Sequence, residues 1–405
     1  MATPSGHAKL SPSAAKQWLN CTPSVQLSER YPDTGSDASA EGTTAHALSE
    51  QLIRFYLHAT GPYTDPIAYT NMQNEIKAEI ATIRQDKHYL ADPVNMDRHC
   101  EDFKDFVIQQ YHTALAETKA SLIYQEVKVD LRQYVPEGFG TMDVGIVSEP
   151  VLRIIDLKYG KGVFVDVEDN DQMKIYAVGF IVFFADIYNI ETVEMTIFQP
   201  RMDNISTWTI SVKDLMEWAE NYLKPRAKLA FEGKGEYVAG SHCRFCKAKA
   251  ACRAKYDYEM GITEHMDKDV LNDNEIADII SRAKGLKEWL TAVEENALKG
   301  MLCGELNLPG YKVVEGRANR VYSDEAAVAK ALIENGISAE KVFHPAKLRG
   351  ITELEKLIGK TAFANYLKDL VIKPAGSPTL VEEKDKREKF SRSDPNEFAG
   401  YETEE

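Results

Sequence analysis

The feature that most constrains the fold of this chain is a change of period near residue 122. Upstream, apolar residues recur at helical spacing. From Leu122 to Lys158 they recur at strand spacing, as LIYQEVKVD (122–130), GTMDVGIV (140–147) and VLRIIDLK (151–158). Only Ser148-Glu149-Pro150 separates the last two runs, which predicts a hairpin. A helical pattern follows from about Asn170 to Phe184, then strand runs over 191–199 and 205–211, then a helix over 212–231. An antiparallel hairpin, a crossover helix and further strands predict an α/β fold with a central mixed sheet flanked by helices.

Around this core the pattern predicts a helix over 8–20, capped by Ser11 or Ser13. A second runs from near Gly42-Thr43 to about Leu57, with Ala45, Leu48, Leu52 and Phe55 facing inward. Residues 71–118 read as mostly helical, broken near Asp92-Pro93. An amphipathic helix spans Asp267 to about Cys303, with Ile276, Ile279, Ile280, Ala283, Leu286, Trp289, Leu290 and Val293 on one face. The expected divisions are N-terminal helices (1–60), a helical insertion (61–120), the core with a cysteine cluster (121–263), a connector (264–304), a small α/β module (305–378) and a charged, disordered tail (379–405). No apolar run approaches the roughly 20 residues of a membrane helix, and the N-terminus lacks the apolar segment of a secretory signal. The expectation is an intracellular protein in a reducing compartment, where cysteines serve metals or catalysis. A formal net charge of −15 excludes a protein that coats nucleic acid indiscriminately. It is compatible with an enzyme that confines its basic residues to one groove.

The hairpin carries the sharpest chemistry. Asp156 and Lys158 are two apart on a strand and so share a face, and antiparallel pairing can bring Asp143 to the same end. Two carboxylates and a main-chain carbonyl suit Mg²⁺ or Mn²⁺, and an ammonium beside them can orient water and balance charge on a phosphate. The same pattern also fits a surface hairpin with polar ends. Gln172 and Tyr176 share a face of the next helix. His46, in the Glu41-Gly-Thr-Thr-Ala-His46 box that opens the second helix, is either structural or a ligand.

Cys243, Cys246 and Cys252 form a C-x2-C-x5-C cluster, one ligand short of a tetrahedral site. Arg244, Lys247, Lys249, Arg253 and Lys255 are woven through it with no acidic residue among them, either as a solvated helical face or as a grip on phosphates. All-thiolate ligation suits an iron–sulfur cluster or zinc.

The order G-T-x-x-H, G-x-x-D, D-x-K, Q-x-x-x-Y resembles the RecB-like branch of the PD-(D/E)-x-K nucleases. The resemblance implies a restriction-endonuclease-like core in which His46, Asp143, Asp156 and the carbonyl of Leu157 hold Mg²⁺ or Mn²⁺. Lys158 is then the catalytic lysine, and Gln172 and Tyr176 position the DNA backbone. Glu50 and Glu126 take supporting places, and Asp156 stands where family members more often carry Glu. A subset of the branch, including the AddB subunit of bacterial recombination enzymes and the CRISPR-adaptation nucleases, places one cysteine before the core and three after it. That resemblance adds Cys21 to Cys243, Cys246 and Cys252 as ligands of a [4Fe–4S] cluster. Zinc is the lesser alternative, and His242 a substitute ligand. Cys100 and Cys303 are left to pack as small apolar residues.

The Leu10-Ser-x-Ser…Trp-Leu-Asn-Cys opening, the box ending in His46 and the segment Gly310–Arg320 resemble a family of phage and prophage proteins of about this length. By that likeness Lys312, Arg317 and Arg320 are further DNA contacts. The implied function is a DNA exonuclease that resects duplex ends for phage-type recombination in the bacterial cytoplasm. Its partners would be DNA and a single-strand annealing protein, with oligomers compatible. Rival readings are a non-catalytic DNA-binding scaffold and a structure-selective endonuclease. A helicase motor is excluded, because Leu354 stands where the first glycine of a phosphate loop ending in Gly359-Lys360-Thr361 belongs.

Overall fold

The structure, a computed structural model, describes residues 8–31, 37–61, 65–261 and 272–313. The chain divides into two compact units, residues 1–314 and 315–405. The expected C-terminal module beyond residue 313, Arg317, Arg320 and the tail lie outside the described residues.

The first helix is shorter than its apolar pattern predicts. A 3₁₀ turn, Pro12–Ala14, leads into α1 (Ala15–Asn20), and Ser11 stands before it without a side-chain cap bond. Instead its carbonyl accepts a hydrogen bond from the buried indole of Trp18, at 3.0 Å. A one-turn helix, α2 (Ser24–Ser28), follows. Helix α3 spans Asp37–Thr60, so it begins well before Gly42. Its inward stripe includes Ala45, Leu48 and Leu52, as the spacing predicts. The helical insertion is α4 (Pro66–Ile83), α5 (Lys87–Ala91) and α6 (Pro93–Glu117), with Asp65 and Asp86 capping the first two and Pro93 opening the third.

The sheet has five strands in sequence order: β1 (Leu122–Asp130), β2 (Phe139–Ser148), β3 (Val151–Leu157), β4 (Thr192–Gln199) and β5 (Asn204–Ser211). All neighbours are antiparallel except β3 and β4, which are parallel and joined by crossover helix α7 (Asp171–Phe183). Parallel neighbours need such a crossover, and the long apolar run of α7 fits its burial from Met173 through Phe180. One face of the sheet packs Val144, Ile146, Ile155, Leu157 and Phe198 against Ile53 of α3 and Phe103 and Val107 of α6. The other packs Met142, Leu152, Ile154, Met195 and Ile197 against α7, α1 and the helices after β5. Those are α8 (Val212–Trp218) and α9 (Lys224–Glu232), joined by a π turn over Ala219–Leu223. Pro225, which has no N–H to donate, accounts for the break in the α-helical ladder there.

After the core come a 3₁₀ turn (Ser241–Phe245), α10 (Arg253–Met260) and α11 (Asp273–Leu302), the last opened by an Asn272–Glu275 capping box. Helix α11 docks through Trp289, whose indole N–H donates to the Lys249 carbonyl at 3.1 Å. Ile276, Ile280 and Leu290 on its expected inward stripe are exposed among the described residues. No described helix is long and apolar enough to cross a membrane.

Candidate functional site

Register places three carboxylates in one row across three strands. β1 pairs with β2 as Gln125↔Val144 and Val127↔Met142, which leaves Glu126 opposite Asp143. β2 pairs with β3 from Val144↔Ile155 onward, which leaves Asp143 opposite Asp156. Neither ladder closes at this row. Glu126 has φ +48°, a left-handed conformation uncommon outside glycine. The strand faces switch there as well. Met142 and Val144 are two apart, yet Met142 packs on the α7 side and Val144 on the α3/α6 side. With the ladder open, the Leu157 N–H donates to Asp143 Oδ2 at 2.8 Å instead of to a strand.

Helix α3 brings His46 onto this row, its Nδ1 3.2 Å from Asp143 Oδ2. One donor atom each from His46, Glu126 and Asp143 lie within 4.8 Å of one another. They line a small cleft with Ser49, Glu50 and Leu157 that has about 10 Å³ of free space, room for one water-sized body. An imidazole with two carboxylates is a donor set that suits Mn²⁺ or Mg²⁺.

On the other side of the row, Lys158 Nζ is 2.7 Å from Asp156 Oδ2 and donates to Gln172 Oε1 at 2.9 Å. Gln172 Nε2 in turn donates to Tyr176 Oη at 3.1 Å and reaches Asp156 Oδ1 at 3.4 Å. Asn170 caps α7 by accepting from Met173 N, and this fixes the first turn that presents Gln172. Tyr176 lies against Gly140. A Cβ at Gly140 would stand 3.0 Å from Tyr176 Cε1 and 2.7 Å from Pro12 Cγ, so the approach needs glycine.

The electrostatics of the row are divided. Burial lifts the Asp156 carboxyl above the usual range, and the Asp143 charge adds to this against the pull of Lys158. Burial also opposes ionisation of Asp143, but the His46 charge and hydrogen bond, Lys158 and the Leu157 amide together hold its carboxyl below the usual range. For His46, burial disfavours the cation, yet Asp143 and then Asp156 outweigh it and raise the imidazole to about 9. Glu126 is solvent-exposed along its length, but its carboxyl faces the crowded cleft. Desolvation there, then the charges of Asp143 and Glu50, push it up to about 7.

The structure therefore gathers His46, Asp143, Asp156, Leu157, Lys158, Gln172 and Tyr176 at one end of the hairpin, as the sequence predicts. It also moves Glu126 from a supporting place into the donor group. His46 lies several residues into α3, later than expected, because the helix starts at Asp37.

The cysteines are less tightly gathered. The segment carrying Cys21 packs on the cysteine-rich segment: Ser28 Oγ lies 3.8 Å from Cys246 Sγ, and Thr22 Oγ1 donates to the Lys234 carbonyl at 2.6 Å. Cys21, Cys243 and Cys246 are buried, and burial, together with the neighbouring Cys243 and Cys252, raises the Cys246 thiol. A single zinc with bonds of about 2.3 Å holds its thiolates about 4 Å apart. Among the described residues the three-donor group within 4.8 Å is the His46 group, and no cysteines form one. His242 Nε2 is 2.8 Å from the Val238 carbonyl. Cys100 is fully buried, its thiol pushed up to about 12, whereas Cys303 is exposed rather than packed.

The basic residues are not a uniform outward face. Lys255 is buried and paired with Glu259, four positions on in α10, which corrects the expectation that it reaches DNA. Arg244 pairs with Glu288 of α11 at 3.0 Å and so helps dock that helix, while Lys249 donates to the Arg244 carbonyl at 2.8 Å. Lys247, Arg253 and Lys312 are exposed, and Arg253 lies over the Tyr256 ring.

A solved structure titled "Crystal structure of SSO0001" aligns with 51% of this chain and 95% of its own, at 13% identity and a TM-score of 0.23. The family model described as "Protein of unknown function (DUF2800)" matches residues 7–388, and the chain belongs to that family.

Proposed function

We propose that this protein is a metal-dependent DNA nuclease. The observation that carries the reading is the cross-strand row, in which Glu126, Asp143 and Asp156 face His46 on one side and a Lys158–Gln172–Tyr176 network on the other. His46, Asp143 and Glu126 would hold the cation, with Asp156 and the Leu157 carbonyl completing the shell. Bound there, Mg²⁺ or Mn²⁺ would polarise a phosphodiester oxygen and acidify a water. Lys158, held between Asp156 and Gln172, supplies a fixed positive charge where charge builds on the phosphate and orients the attacking water. Gln172, itself held by Tyr176, accepts from that ammonium and would position the DNA backbone beside it.

The family likeness extends the reading to an exonuclease that resects duplex ends in phage-type recombination, alongside an annealing protein, in the bacterial cytoplasm. The sequence likeness also proposes Cys21, Cys243, Cys246 and Cys252 as ligands of a [4Fe–4S] cluster, with zinc the alternative, and the approach of Ser28 to Cys246 brings the segment after Cys21 to the three-cysteine segment. Lys247, Arg253 and Lys312 are exposed and are the proposed phosphate contacts of this region. The test is digestion of end-labelled duplex DNA with Mg²⁺ or Mn²⁺. Wild type is expected to cut and Lys158→Ala to lose about 10²–10³-fold in rate while binding Mn²⁺ normally. Undiminished cleavage by Lys158→Ala refutes the reading.

A further inference from the structure

The loop from Tyr159 to Asp169 leaves the catalytic strand at Lys158 and returns to the helix that presents Gln172. Its two ends are thus closed across the Lys158–Gln172 hydrogen bond. Loops of this length with no regular structure are usually loosely held, but this one is built in. Gln199, 1% exposed, donates to the carbonyls of Gly160 at 3.1 Å and Val163 at 2.8 Å, and accepts from the Val165 N–H at 3.2 Å. Asn204, 5% exposed, donates to the Val165 carbonyl at 2.9 Å. At the far end the buried Lys174 ammonium grips Asp169 at 2.6 Å.

Within this frame Val165 and Val167 alternate inward onto the core below α7. Phe164 alternates outward and is 59% exposed. Scattered exposed apolar residues are ordinary. A phenyl ring on a loop whose ends meet at Lys158 and Gln172 is a different matter, since two buried amides are spent on holding the backbone that presents it. The outward neighbours Asp166 and Glu168 are exposed and acidic, which disfavours a phosphate backbone on that stretch and leaves the flat face of a base as the fitting contact. Lys161, exposed earlier in the loop, can meet the phosphate on the other side.

We infer that Phe164 is a stacking platform for a nucleobase at the end of the DNA strand being cut, so that this protein takes frayed or single-stranded ends in preference to intact duplex interior. The inference rests on the nuclease reading for the place of the cut, and its test reads stacking separately from cleavage. Duplexes with 2-aminopurine at the terminal position are titrated with protein in Ca²⁺, and fluorescence quenching and affinity are recorded. Wild type is expected to quench. Phe164→Ala is expected to lose the quenching and about 5- to 100-fold in affinity, with Mn²⁺ affinity unchanged, and Phe164→Trp to restore both. Equal quenching and affinity in wild type and Phe164→Ala overturns the platform and leaves the nuclease reading standing. Quenching that depends on Phe164 without any cleavage in Mg²⁺ or Mn²⁺ supports the platform and refutes the nuclease. A wild type that binds no DNA ends overturns both.

Discussion

Asp143 and Asp156 have one neighbourhood between them, yet their carboxyls are pushed in opposite directions, and the difference lies in which side of the row holds His46. The raised His46 pKa stabilises the metal-free fold fully below about 6.5, the unfolded value, and that contribution is lost as pH rises through about 9. A cation must displace the same proton. Mn²⁺ affinity is therefore expected to rise about tenfold per pH unit between 7 and 9, measured by calorimetric titration. Glu126 yields a prediction with two opposite signs. Glu126→Gly is expected to raise stability by about 0.5–1 kcal/mol, because glycine accepts φ +48° freely, while weakening Mn²⁺ binding about 10- to 100-fold. Thermal melts and the same titration check both. The D-x-K pair was legible from strand parity alone. The place of Glu126 was not, since a left-handed glutamate leaves no mark in a sequence. Lys255 could have been read correctly, because Glu259 four positions later is an ordinary helical ion-pair spacing.

Secondary-structure elements show the same division between legible and hidden. The strands follow from their alternating or apolar runs and α7 from the helical pattern between Asn170 and Phe184. Helix α3 begins at Asp37, whereas the inward spacing of Ala45, Leu48, Leu52 and Phe55 predicts it only from near Gly42-Thr43. Asp37 at its N-terminus and the alanines that follow carry the helix through that position, and a Cβ at Gly42 would meet nothing within 4 Å. Gly42→Ala is accordingly expected to stabilise the protein by about 0.5–1 kcal/mol in urea unfolding. Gly140→Ala is its opposite. The added methyl would press on Pro12 and Tyr176, costing about 1–3 kcal/mol and shifting the Gln172 network with it. Denaturant midpoints of the two variants should move in opposite directions.

Over the whole molecule, segments far apart in sequence meet at the N-terminus. Arg226 donates to the carbonyls of Leu19 and Asn20, and Ser28 touches Cys246. The one-and-three cysteine spacing pointed to this meeting. The docking of α11 by Trp289 and Glu288 was not readable, because both look like ordinary residues of an amphipathic helix. If the four cysteines hold iron, anaerobically purified protein is expected to be brown with about four irons per chain. Cys246→Ser is expected to lose the visible absorption and to melt at lower temperature. Stoichiometric zinc instead of iron overturns the cluster.

The meeting of α1 and α2 with the segment around Cys243 also sets a schedule for synthesis. Trp18 and Leu19, buried in the finished protein, are made more than two hundred residues before α9 and the cysteine segment that cover them on one side. At about 5–20 residues per second, that interval is on the order of 10–40 seconds. For that time the α1 segment of the nascent chain lacks the part of its cover that α9 and the cysteine segment supply, a window in which a chaperone can hold it or a neighbouring nascent chain can capture it.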